Sequence, residues 1–121
     1  MALAYAREGG CNAIVTKQSS AAAETITLAG SKVNGGSAYS IVGGTIDVIT
    51  SVAGNIDIKI GGTSVLAAVQ STAAAGTFAL ILSDSVANLS GADGADLTII
   101  TDAAAKCQVN LLISGTLEDV V

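Results

Sequence analysis

Strict alternation of apolar and polar residues, in runs too short for helices, most constrains this chain. In Ile56-Asp57-Ile58-Lys59-Ile60 the three isoleucines fall on one face of an extended strand, and Asp57 and Lys59 fall on the other. Thr25-Ile26-Thr27-Leu28 and Thr45-Ile46-Asp47-Val48 follow the same rule, with Ile26 and Leu28, then Ile46 and Val48, facing inward. Near the C-terminus, Cys107, Val109, Leu111 and Ile113 share one face, opposite Gln108, Asn110 and Leu112. Half-buried strands of antiparallel sheets carry this pattern.

Glycine-rich turn signals separate these runs at short intervals. The alternation predicts seven to nine strands near 12–17, 24–29, 38–42, 45–52, 55–60, 63–70, 77–83, 96–101 and 106–114. Gly61-Gly62 reads as a hairpin turn joining the strand at 55–60 to the next. Ala53-Gly54-Asn55 reads likewise as the join between 45–52 and 55–60. Thr77–Ser83 is apolar on both faces, which predicts a central strand covered on both sides. The alanine-rich stretches at 18–24 and 64–75 read as loops or strand ends rather than helices, and 85–91 as a helical turn. The expected fold is all-β: a small antiparallel β-sandwich of jelly-roll type spanning 21–121, with 1–20 as an N-terminal arm or first strand.

Composition narrows what such a sandwich does. Half of the 121 residues are apolar and only 12% are charged, with a mean hydropathy of +0.65. No run reaches the ~18 uninterrupted apolar residues of a spanning helix, so membrane insertion is not expected. Met1–Gly10 lacks a basic start, and Arg7 and Glu8 interrupt it too early for a signal peptide. The apolar half contains 22 alanines and 33 isoleucines, valines or leucines, but only Tyr5, Tyr39 and Phe78 as aromatics. Side chains this small make a thin core, so burial against partners is expected to add to it. Residues 1–60 are charge-balanced, whereas 61–121 carry the whole net charge of −5. Phosphate binding needs clustered cations, so nucleic acid is not an expected partner.

Residues suited to catalysis are scarce. The chain has no histidine, the usual general base. Ser31 and Lys32 are adjacent, and neighbours on a strand point apart. Asp93, Asp96 and Asp102 in the Ser90–Asp102 run loosely resemble one calcium-binding β-roll unit. A single unit lacks the tandem copies that share each ion, so an acidic glycine-rich loop is the expected role, with no metal and no cofactor. Asn88-Leu89-Ser90 fits a glycosylation sequon, and three scattered aromatics do not form a sugar-binding platform. Cys11 and Cys107 read as free buried thiols, or as a disulfide if the first and last strands are neighbours.

The stretches Ile56–Thr77, Leu80–Ile99 and Val109–Thr116 together resemble the small β-sandwich virion proteins of tailed bacteriophages, over roughly 45–116. The resemblance implies a decoration, or cement, protein on the outer capsid surface, contacting the major capsid protein and forming homo-oligomers, commonly trimers. A tail or head-fibre component is a related expectation. A bacterial cell-surface or pilus-like sandwich module is the rival from another class. The charge-neutral N-terminal half is expected to dock on the shell and the acidic C-terminal half to face solvent.

Overall fold

The computed structural model describes residues 12–19, 23–91, 93–102 and 104–114. Among the described residues, ten strands build two antiparallel sheets. They are β1 (Asn12–Gln18), β2 (Glu24–Leu28), β3 (Tyr39–Thr50), β4 (Asn55–Ile60), β5 (Thr63–Ser64), β6 (Gln70–Ser71), β7 (Gly76–Ala79), β8 (Ser90–Gly91), β9 (Leu97–Thr101) and β10 (Lys106–Ser114). Sheet A runs β1-β10-β3-β7, with β8 also on β3. Sheet B runs β2-β9-β4-β5, with β6 also on β4.

The pairing follows from one long ribbon. Taking β5 with β6 and β7 with β8 as halves of interrupted strands, β1 pairs with β10, β2 with β9, β3 with β7 and β8, and β4 with β5 and β6. The ribbon reverses at Gly61-Gly62, where Ile60 faces Thr63 across a two-residue loop and both glycines take the positive φ that such loops require. Rolling it up lays alternate rungs in opposite sheets and brings β10 against β3 and β9 against β4. That is the jelly-roll arrangement of an eight-stranded sandwich.

Alternation fills the space between the sheets. Ile46, Val48, Ile56, Ile58, Ile60, Leu97, Ile99, Cys107, Val109, Leu111 and Ile113 are all buried. Buried Ser19, Thr72 and Thr101 tie strand ends to backbone. Ser19 Oγ donates to the Ala105 carbonyl at 3.1 Å and accepts from the Cys107 N–H at 2.9 Å. Thr72 Oγ1 donates to the Val52 carbonyl at 2.8 Å. No buried side-chain polar atom among the described residues lacks a partner, as a close-packed interior demands.

Several expected elements differ in detail. The strands expected at 38–42 and 45–52 are one strand, β3, because two bulges bend it without ending it. The strand expected at 63–70 survives as β5 and β6, and 72–75 is irregular, as the loop reading required. Ala53-Gly54-Asn55 is not a hairpin: it carries the chain from sheet A to sheet B. The 77–83 segment is not central. β7 lies at an edge, and past it the chain leaves β3 to meet 65–67, where Ala67 N–H donates to the Ile81 carbonyl at 2.9 Å and Ser83 N–H to the Val65 carbonyl at 2.8 Å. These bonds stitch the two sheets along one side; Phe78, Leu80 and Leu82 pack on the core, while Ala79 and Ile81 on the other face stay exposed. The neutral and acidic halves of the chain are not separate bodies either, because β10 lies between β1 and β3.

Candidate docking surface

The three aspartates singled out in the sequence do not converge. Asp93 Oδ1 accepts from the Ala38 N–H at 2.9 Å, and Asp96 Oδ1 from the Gly30 N–H at 2.8 Å. Asp102 Oδ1 accepts from the Asn55 N–H at 2.7 Å, at the other end of β9. The five residues of β9 separate Asp96 from Asp102, six steps or about 20 Å at the usual rise. Asp93 and Asp96 pin the two ends of the 29–38 connection between β2 and β3, and Asp102 pins the start of β4. Among the described residues no group of three His, Cys, Asp or Glu side chains is placed to hold a metal ion. Two further aspartates bond across neighbouring strands: Asp47 on β3 accepts from Thr77 Oγ1 on β7 at 2.7 Å, and Asp57 on β4 from Ser64 Oγ on β5 at 2.6 Å. The sequence predicts an acidic glycine-rich loop for Asp93, Asp96 and Asp102; all three are exposed, but their bonds to Ala38, Gly30 and Asn55 depend on contacts distant in sequence.

Other reactive groups have structural partners. Ser31 and Lys32 lie exposed in a 3-10 turn, Gly30–Lys32, rather than on a strand. Cys107 is a free thiol in the core, and burial raises its pKa. Cys11, and with it the question of its pairing, lies outside the described residues. Tyr39 is buried and donates from its hydroxyl to the Ala95 carbonyl at 2.8 Å. Burial, helped by the charge of Asp96, pushes its pKa up to about 12. Phe78 is partly buried and packs against the core. Asn88 of the sequon sits in the 3-10 turn Val86–Leu89, with Nδ2 donating to Ser83 Oγ at 3.2 Å.

The outer faces of the two sheets are chemically unlike. On sheet B the central strand β4 presents Asp57 and Lys59. On sheet A, the registers from Ser114–Ser40–Ser90 through Leu112–Gly43 to Thr16–Asn110–Thr45–Ala79 present no charge. Their polar groups are hydroxyls and amides bonded among themselves. Ser40 Oγ lies 3.1 Å from Ser90 Oγ, and Thr16 Oγ1 donates to Asn110 Oδ1 at 3.1 Å. Lys17, Asp47 and Lys106 all lie beyond these registers, toward the other end of the sheet.

An apolar stripe crosses this uncharged area. Ile14 on β1 faces Leu112 on β10, which faces Gly43 beside Val42 on β3. Ile81 follows Leu80, whose N–H bonds the Gly44 carbonyl at 3.0 Å, and so continues the line. Ile14, Val42 and Ile81 are 62%, 53% and 69% exposed. Val42 is the extra residue of one β3 bulge, and Ile49, also exposed, is the extra residue of the other. A bulge needs no apolar side chain to bend a strand, so the aliphatic character of Val42 and Ile49 is not required by the bulges themselves. Alternation counting could not find them, since a bulge breaks the period that the count relies on.

No protein-family model matches the chain, and no curated protein matches it.

Proposed function

We propose that this protein is a bacteriophage virion component, a capsid decoration protein that seats the outer face of sheet A on the shell built by the major capsid protein. The observation that carries this reading is the uncharged face crossed by the Ile14–Leu112–Val42–Ile81 stripe. Depletion of charge around exposed aliphatics is the composition of an interface core. The jelly-roll topology, the apolar excess and the resemblance to small virion sandwich proteins support the same reading. A binder that prefers the assembled shell to its free subunits stabilises the shell by mass action and needs no catalytic group. Gathering of copies about a local symmetry axis, three being the favoured number, would bury further apolar surface. The proposed location is the outer surface of the virion.

The test is binding of the full-length chain to undecorated capsids, read by co-sedimentation. Wild type is expected to sediment with capsids, and the double substitution Ile14→Asp with Val42→Asp to lose that binding. A control pair on sheet B, Thr25→Asp with Thr98→Asp, is expected to retain it. No wild-type binding, or loss only in the sheet B pair, would refute the reading. Binding to tails or fibres instead would move the protein to a fibre role.

A further inference from the structure

Ala38 is held from two sides by the one asparagine and the one aspartate in this protein that precede a glycine. Its carbonyl accepts from Asn34 Nδ2 at 2.9 Å, and its N–H donates to Asp93 Oδ1 at 2.9 Å. Asn34 is followed by Gly35 and Asp93 by Gly94. None of the other four asparagines and no other aspartate precedes a glycine. Both glycines have positive φ, and nothing lies within 4 Å of where either would carry a Cβ. Asn34 itself has a φ of 50°, the one positive value among described non-glycine residues. The following backbone nitrogen therefore has no side chain of its own to obstruct its approach to the preceding side-chain carbonyl.

We infer that Asn34-Gly35 is a self-modification site, at which the folded protein converts Asn34 to aspartate and isoaspartate and so releases the Ala38 clamp. The Gly35 nitrogen attacks Asn34 Cγ, the new C–N bond closes a succinimide, and the Cγ–Nδ2 bond breaks. Nδ2 leaves as ammonia, carrying the proton that Gly35 gives up. Water then opens the ring. Cleavage at Cγ yields aspartate, and cleavage at the backbone carbonyl yields isoaspartate, with the main chain routed through the former side chain. Water is the only co-reactant, and nothing is oxidised or reduced.

The product cannot keep the clamp. A carboxylate has no N–H to donate to the Ala38 carbonyl, and it adds a negative charge on the side of Ala38 opposite Asp93. Asp93-Gly94 can close the same ring with loss of water, so both jaws of the clamp share one chemistry. The loops at this end of the sandwich meet around it. Gly30 N–H binds Asp96, Tyr39 binds the Ala95 carbonyl, and Gly61 N–H donates to the Asp96 carbonyl at 3.0 Å. Release of Ala38 therefore loosens the end of the molecule where three loops are joined.

The experiment is incubation of the full-length folded chain at 37 °C and mildly alkaline pH, followed by peptide mass spectrometry over time. Asn34 is expected to gain about 1 Da, amide to acid, while Asn12, Asn55, Asn88 and Asn110 stay unchanged. Amide exchange at Ala38 is expected to accelerate in step with conversion, and Asn34→Asp to show the faster exchange from the outset. The Asn34→Gln variant, whose longer side chain disfavours ring closure, is expected to gain no mass at this position. Two results would overturn the inference: Asn34 unchanged in the folded chain while it converts in urea, or conversion at any other asparagine first. Conversion without faster exchange at Ala38 would overturn the release.

Discussion

Two residues, Gly30 and Tyr39, show how closely the loop end of the molecule is packed. A Cβ on Gly30 would stand 2.3 Å from the Gly94 backbone carbonyl and 2.4 Å from the Ala95 oxygen, contacts that no side chain can relieve. Gly30→Ala is expected to destabilise the protein by about 3 kcal/mol in urea titration, as overpacking does. Gly35→Ala meets open space and only the strain of its positive φ, so about 1 kcal/mol is expected. Equal losses at the two positions would contradict the close approach. Tyr39 makes a prediction in pH. Its folded-state pKa, about 12, lies above the ~10 of an unfolded tyrosine, so the folded chain holds this proton more tightly. The associated stability is complete below pH 10 and is lost as pH rises toward 12. Wild type should therefore lose more stability than Tyr39→Phe across that interval, and parallel loss in the two would contradict the assignment.

Elements regular enough to keep period two were legible in the sequence; elements shaped by long-range contacts were not. β4 and β10 appear as read, with Ile56, Ile58 and Ile60, and Cys107 through Ile113, inward as expected. The Gly61-Gly62 reversal was legible because only glycine fits both positions without strain. β8, two residues long, left no periodic signal. The sheet-to-sheet crossing at Ala53–Asn55 uses the same turn vocabulary as a hairpin, and only the rolled ribbon distinguishes them. The exposed aliphatics of sheet A were illegible for a related reason, since Val42 and Ile49 sit at bulges, and the bonds of Asp93, Asp96 and Asp102 were illegible because their partners lie 47 to 66 residues away. Strand β10 supplies an internal comparison. Leu111 is fully buried and Leu112, its neighbour, faces outward on the stripe. Leu111→Ala should cost about 2–5 kcal/mol and Leu112→Ala about 0.5 kcal/mol or less. Similar costs would mean that the outward face is packed within the chain itself.

At the scale of the whole molecule, a jelly roll with a thin aliphatic core presents one sheet that carries charge and one sheet with a broad uncharged area. Acids that looked like a diffuse acidic surface hold loops in place, and the aliphatic surplus extends to an exposed stripe on sheet A. The account rests on that stripe being covered in the working state of the protein. The most direct measurement is near-atomic imaging of capsids decorated with the full-length chain. The account predicts density for the sandwich on the outer shell, with Ile14, Val42, Ile81 and Leu112 buried against capsid subunits and the outer face of sheet B away from them. Density that seats sheet B on the shell and leaves the stripe in solvent, or shells that carry no such density, would contradict it.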